Sequence, residues 1–248
     1  MGLTFSANLG FLWQELPLPD AIRAAHRAGF AAVECHWPYD VPAQHVAAAL
    51  SGTGLRMLGL NTRRGGPSEN GLSALPGRGA EARAAVDEAI AYADAIDACA
   101  IHVMAGFATG QEAEAAFIDT LRYACAATTR TILIEPLNSY DAPGYFLTTT
   151  VQAENIIAKV AAPNLRLMFD CYHVQLMEGD VTHKLERLLP IIGHIQFASV
   201  PDRGAPDHGE LNYPHIFAVA ERLGWPLPLG AEYKPGGPTE PTLGWLLR

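Results

Sequence analysis

The run Thr131-Ile132-Leu133-Ile134-Glu135, the helical window Thr149–Val160 and the run Arg166-Leu167-Met168-Phe169-Asp170 decide the fold class. Each flanking run is short, apolar and bounded, which reads as a buried strand. The window between them spaces its apolar residues helically. Two strands joined through a helix run parallel, because the helical crossover returns the chain to the edge where it started. The alternation extends outward both ways. Further strands are predicted at Thr4–Asn8, Ala32–His36, Arg56–Leu60, Ala100–Met104, His194–Ala198 and Leu229–Glu232. Further helices are predicted near Pro19–Ala28, Ala43–Ser51, Gly79–Ile96, Gln111–Thr128, Thr182–Leu189 and Tyr213–Leu223. Boundary residues agree: Pro19-Asp20 opens the first helix, Gly29 follows its end, and Pro163 and Gly224 follow two others.

Eight such strands in 248 residues, without linker or composition break, describe an α/β protein. The expectation is a single (β/α)8 TIM barrel domain over residues 1–248. An open doubly wound sheet would carry a glycine-rich phosphate turn after the first strand, and Asn8-Leu9-Gly10-Phe11 is not one. The longest irregular segment, Asn61–Arg78, follows the third strand and is expected as a lid on the active-site face.

Composition narrows the partners. Hydrophobic residues at 49% against 17% charged give enough apolar surface for a compact core. Lys and Arg number 17 and Asp and Glu 26, so the net charge of −9 argues against a nucleic-acid backbone as partner. No apolar run approaches the ~20 residues that cross a bilayer, so no membrane association is expected. Leu9–Leu12 is too short for a secretory leader and no Lys or Arg precedes it. Met1-Gly2-Leu3-Thr4-Phe5-Ser6 matches the loose myristoylation pattern, but a strand through Thr4–Asn8 leaves no free end for a lipid. Cys35, Cys99, Cys125 and Cys171 lack C-x-x-C spacing and read as reduced thiols of a cytoplasmic protein.

Barrel chemistry gathers where the strands end. Four late strands finish in oxygen-bearing groups: Glu135, Asp170, Gln196 and Glu232. Three carboxylates converging on one barrel mouth repel one another unless a cation lies among them. An all-oxygen set of three carboxylates and one amide suits a hard divalent ion, Mg²⁺ or Mn²⁺ rather than Zn²⁺. Taken singly, each acid reads equally well as a cap for the following helix or as partner to a nearby Arg. Four in consecutive strands weigh against that. His102, inside an apolar strand, reads as a satisfied core histidine, while Glu34, His36, Trp13 and Trp37 follow early strands and could wall the mouth. Phe107 reads as packing, and Glu178, Glu186 and Glu210 as solvated surface.

These residues also carry a resemblance. Ile134-Glu135-Pro136-Leu137-Asn138 with Pro143-Gly144-Tyr145-Phe146-Leu147 resembles the hydroxypyruvate isomerase family, a branch of the xylose isomerase-like barrels. So do Asp170-Cys171-Tyr172-His173-Val174-Gln175, His194-Ile195-Gln196, Gly209-Glu210-Leu211-Asn212-Tyr213 and Glu232-Tyr233-Lys234-Pro235, so the likeness spans nearly the whole chain. The resemblance implies one divalent metal held by Glu135, Asp170, Gln196 and Glu232, with Glu135 and Glu232 also forming a proton-transfer pair. It implies His173 near the substrate oxygens and Arg203 at the substrate's negative end. In the related ketose 3-epimerases the position of Gln196 is usually His, so Gln points to the isomerase branch. Self-association into a homo-oligomer is implied as well. The loop Asn61–Pro67 and the stretch Val200–Asp207 depart from the family pattern where specificity is set.

The implied reaction interconverts hydroxypyruvate and 2-hydroxy-3-oxopropanoate by proton transfer through a metal-stabilised enediolate. A 2-oxotetronate isomerase or a ketose 3-epimerase would use the same groups. The substrate is thus a small 2-oxo acid or sugar-like molecule. Its carboxylate calls for a cation, for which Arg203, Lys234, Arg63 and Arg64 are candidates in that order. A DNA-repair endonuclease would need several zinc-binding His and a basic groove, and neither is visible in the sequence.

Overall fold

The computed structural model describes residues 2–246. The strands are β1 (Phe5–Asn8), β2 (Ala32–Glu34), β3 (Arg56–Met57), β4 (Gly59–Asn61) and β5 (Ala100–His102), then β6 (Thr131–Ile134), β7 (Leu165–Asp170), β8 (Ile192–Phe197) and β9 (Leu229–Ala231). All pair in parallel, in the order β3-β2-β1-β9-β8-β7-β6-β5-β4. β3 and β4 are two halves of the predicted third strand, interrupted at Leu58; β3 pairs with β2 and β4 with β5. Hydrogen bonds from Leu58 N to Val33 O (2.7 Å) and from Asn61 N to His36 O (2.8 Å) carry the ladder across the break. The sheet thereby closes as the eight-stranded barrel expected from the sequence.

The helices are α1 (Leu18–Ala28), α2 (Ala43–Thr53), α3 (Gly79–Ile96), α4 (Gly110–Ala127), α5 (Thr150–Val160), α6 (Cys171–Met177), α7 (Val181–Leu188) and α8 (Tyr213–Arg222). Seven fall on predicted windows. α1 begins with Pro19 in its first turn and ends at Gly29, whose φ of 94° closes the helix in the left-handed region. α6 lies outside the predicted windows: it starts directly at the end of β7, capped by Asp170 Oδ1, which accepts from Tyr172 N at 2.8 Å.

Period two in the strands divides the core in two. Ile101, Ile132, Ile134, Leu167, Phe169, Ile195 and Phe197 face the helices in one large apolar cluster. The alternate residues fill the barrel. Ala100, Leu133 and Met168 form a small separate apolar plug. One rung further along the same faces come His102, Glu135 and Asp170, and the neighbouring strands contribute Gln196 and Glu232; all are buried. The plug closes the barrel below, so the polar rung opens only at the carboxyl end.

Candidate active site

Above the polar rung lies a cavity of about 160 Å³, with His36, His102, Glu135, His173, Arg203 and Glu232 in its lining. Glu135, Asp170, His173 and Glu232 each bring one ligand-type atom to within 4.8 Å of the others. A buried carboxylate and histidine cluster able to hold a metal ion therefore stands where the strands end. The orphaned atoms identify its inner face. Glu135 Oε1, Asp170 Oδ2 and Gln196 Oε1 are buried without a hydrogen-bond partner. Buried polar atoms are normally paired, and three unpaired oxygens from neighbouring strands match the donor set of a hard cation.

The acids differ in what surrounds them. Burial pushes the Glu135 carboxyl well above the usual carboxylate range, reinforced by the charges of Glu232 and Asp170. Burial and Glu232 raise Asp170 to about 7. Burial acts on Glu232 too, but the Arg203 guanidinium and His36 outweigh it and bring this carboxyl down to about 2. Glu232 Oε2 accepts from Arg203 Nη2 at 2.5 Å, and its Oε1 accepts from Asn8 Nδ2 at 2.7 Å and lies 3.2 Å from His36 Nε2. Arg203 is stacked between Phe11 and Tyr172, its guanidinium carbon 4.7 Å and 4.9 Å from the ring centroids. Its backbone sits at φ 56°, a conformation few side-chain-bearing residues adopt and one that clusters at functional sites.

His173 has a defined tautomer. Its Nδ1 accepts from the Asn138 backbone N–H at 3.0 Å, so Nδ1 carries no proton and Nε2 does. Burial, then the Arg203 charge, lowers its pKa to about 3, so the ring is neutral. Nε2 lies 3.3 Å from Arg203 Nη2, 3.6 Å from Asp170 Oδ2 and 3.8 Å from Glu135 Oε1, within the same cluster.

Below the rung, Glu34 organises Gln196. Its carboxylate accepts from Gln196 Nε2 at 2.7 Å and from Ser6 Oγ at 2.8 Å, with His194 Nε2 at 3.0 Å. The amide nitrogen is thereby engaged and Oε1 is left unpartnered. Gly230 is required here: a Cβ on it would lie 2.4 Å from Glu34 Oε1 and 2.9 Å from Gln196 Cγ.

Other expectations are corrected. Lys234 is exposed and outside the cavity; β9 ends at Ala231, and the Lys234 N–H bonds the Arg203 carbonyl at 2.7 Å. Arg63 is paired with Glu88 at 2.7 Å and Arg64 lies over Trp37 at 4.9 Å; neither lines the cavity. His102 is not a satisfied core residue: it lines the cavity and its buried Nε2 has no partner. Trp13 is core, bonded to Glu240 at 2.7 Å, whereas Trp37 lines the cavity. Glu178 is not a solvated acid; it receives Thr150 N at 2.7 Å and Thr150 Oγ1 at 2.9 Å. The segment after the third strand contributes Asn61 and Asn70 to the cavity and buries Leu72 and Ala74 beneath itself.

Closed parallel barrel and acidic mouth together define the class. The family model for the xylose isomerase-like TIM barrel matches residues 22–248, and the chain belongs to that family. Within it the chain belongs to the hydroxypyruvate isomerase branch, a family of isomerases. A 2-oxo-tetronate isomerase of Cupriavidus necator is 43% identical, with 98% of this chain and 96% of that protein covered. A putative hydroxypyruvate isomerase of Homo sapiens is 42% identical, with 98% and 94% covered. A solved Brucella melitensis structure, described as an AP endonuclease of family 2, superposes with a TM-score of 0.95 at 39% identity, covering 99% and 98%. Among the described residues no helix is long and apolar enough to cross a membrane.

Proposed function

We propose that this protein isomerises a small 2-oxo acid of the hydroxypyruvate and 2-oxotetronate type by proton transfer between adjacent carbons. The single observation carrying this reading is the set of three unpaired buried oxygens on Glu135, Asp170 and Gln196 beside Glu232. With Glu232 they would hold one divalent ion, Mg²⁺ or Mn²⁺. When bound, that ion supplies a Lewis acid for the negative charge that develops on the substrate oxygens.

The chain's own groups carry the rest. Arg203 receives the substrate carboxylate. One member of the Glu135–Glu232 pair takes the proton from C3 of the 2-oxo acid, leaving an enediolate. The same pair returns a proton to C2, ending as it began, and the hydroxyl proton moves from the C3 oxygen to the C2 oxygen. The result is an aldehyde, or a 3-oxo group in a longer acid, with no atom gained or lost. His173 Nε2–H steadies the oxygen that exchanges this proton. A cavity of about 160 Å³ lies well below the ~300–1,000 Å³ typical of drug-sized ligands, which suits so small a substrate.

The test is proton NMR of hydroxypyruvate and 2-oxotetronate in D₂O with chelator-stripped protein, before and after adding Mg²⁺ or Mn²⁺. Metal-dependent loss of the C3 proton signal with product formation is expected. No exchange on either acid with either metal would overturn the reading.

A further inference from the structure

Glu135 divides the cavity into two unlike halves. Its Oε1 looks toward Asp170 and His173, and its Oε2 lies 3.7 Å from His102 Nδ1. On the first side stands Arg203, the sole Lys or Arg in the lining among the described residues, and hence the place for a carboxylate. On the second side stands His102. His102 is 2% exposed, and its main-chain carbonyl is already satisfied by Thr62 N at 2.9 Å. Only the ring remains, and its Nε2 has no partner. An unpaired buried nitrogen facing a cavity is a demand on whatever fills it.

We propose that His102 forms the subsite for a terminal hydroxymethyl group, so that four-carbon 2-oxo acids bearing one are preferred over three-carbon hydroxypyruvate. The inference deepens the isomerase reading above and rests on it for orientation. With the carboxylate at Arg203 and the reacting carbon beside Glu135, a substituent beyond that carbon extends to His102. Hydroxypyruvate ends at C3 and leaves Nε2 bare; 2-oxotetronate continues with a CH₂OH group. A hydroxyl fits because it donates and accepts, matching whichever ring nitrogen faces it. A second carboxylate would sit against Glu135, and a methyl group would leave Nε2 unpaired. Sites built to bond a substrate hydroxyl reject analogues lacking it more strongly than apolar pockets reject a missing methylene.

The experiment compares kcat/KM for 2-oxotetronate and hydroxypyruvate with Mn²⁺-loaded wild type, His102→Ala and His102→Asn. Wild type should favour the four-carbon acid by about 10–100-fold. That ratio should collapse to near parity in His102→Ala and be partly kept in His102→Asn, which retains a hydrogen-bonding head. Equal use of both acids by wild type, or a ratio that survives in His102→Ala, overturns the proposal. Where the alanine variant fails to fold, the wild-type ratio and the asparagine variant decide. If wild type converts neither acid, the isomerase reading is what fails. The subsite is then judged by titration calorimetry with the four-carbon acid and its 4-deoxy analogue. Tighter binding of the hydroxylated acid sustains the subsite, and equal binding overturns it.

Discussion

Glu135 and Glu232 follow strands β6 and β9, share the barrel's inner face, and are each 5% exposed. Yet one holds its proton far above the ordinary range and the other releases it near 2. Burial is common to both, so it cannot explain the difference. What separates them is company: Glu232 meets a stacked guanidinium, an asparagine and a histidine, whereas Glu135 Oε1 has no hydrogen-bond partner. The protein satisfies one side of its acid cluster and leaves the other side open. An open side lined with unpaired oxygens is where a cation and a mobile proton can both be accommodated.

The largest expected effect breaks this pair apart. Glu135→Gln and Glu232→Gln should each lower isomerisation by about 10²–10⁴-fold. The two variants should fail at different steps. In D₂O, the variant that lacks the proton acceptor should lose C3 proton exchange. The variant that lacks the donor should keep some exchange and lose product. Near-normal turnover in Glu232→Gln that still binds metal would remove it from the proton path.

A smaller effect concerns the residue that aims the amide. Glu34→Gln should weaken Mn²⁺ binding by about 10–100-fold, since an amide at position 34 no longer forces the Gln196 nitrogen toward it. Titration calorimetry on chelator-stripped protein reads this directly, and thermal melts of the same metal-free samples report any general damage. Unchanged affinity would reduce Glu34 to a partner for His194 and Ser6.

The barrel and its mouth were largely legible in the sequence, for a local reason. Period two places Leu133 with Glu135 and Met168 with Asp170, so an acid two residues beyond an inward apolar residue must enter the same lumen. The rest was hidden by distance or by scale. The Asn8–Glu232 and Glu34–His194 contacts join residues 224 and 160 positions apart, with no trace in any local window. Helix α6 has 7 residues, too few for a periodic signal, and Asp170 conceals it by serving as both strand end and cap. His102 reads as core because its strand is apolar on both sides. It stands two residues beyond Ala100, which fills the barrel plug, and so faces the same lumen. Lys234 would point inward only if β9 continued past Ala231, and it does not.

The smallest effect follows from the proton held by the open side. In the metal-free protein Asp170 titrates near 7 and Glu135 lies well above its usual range, so near pH 6 both sites carry protons that a cation must displace. The sign is fixed: metal binds the deprotonated form, so affinity rises as pH rises toward and through 7. It levels only once the raised Glu135 carboxyl is ionised as well. Glu232, ionised far below this window, adds no slope. Each proton released contributes at most about a tenfold gain in affinity per pH unit. Mn²⁺ calorimetry between pH 6 and 8, in buffers of different ionisation enthalpy, gives both the slope and the protons released. A flat profile with no proton release would mean that the open side is already ionised without its cation. The contrast between Glu135 and Glu232 would then be one of geometry alone.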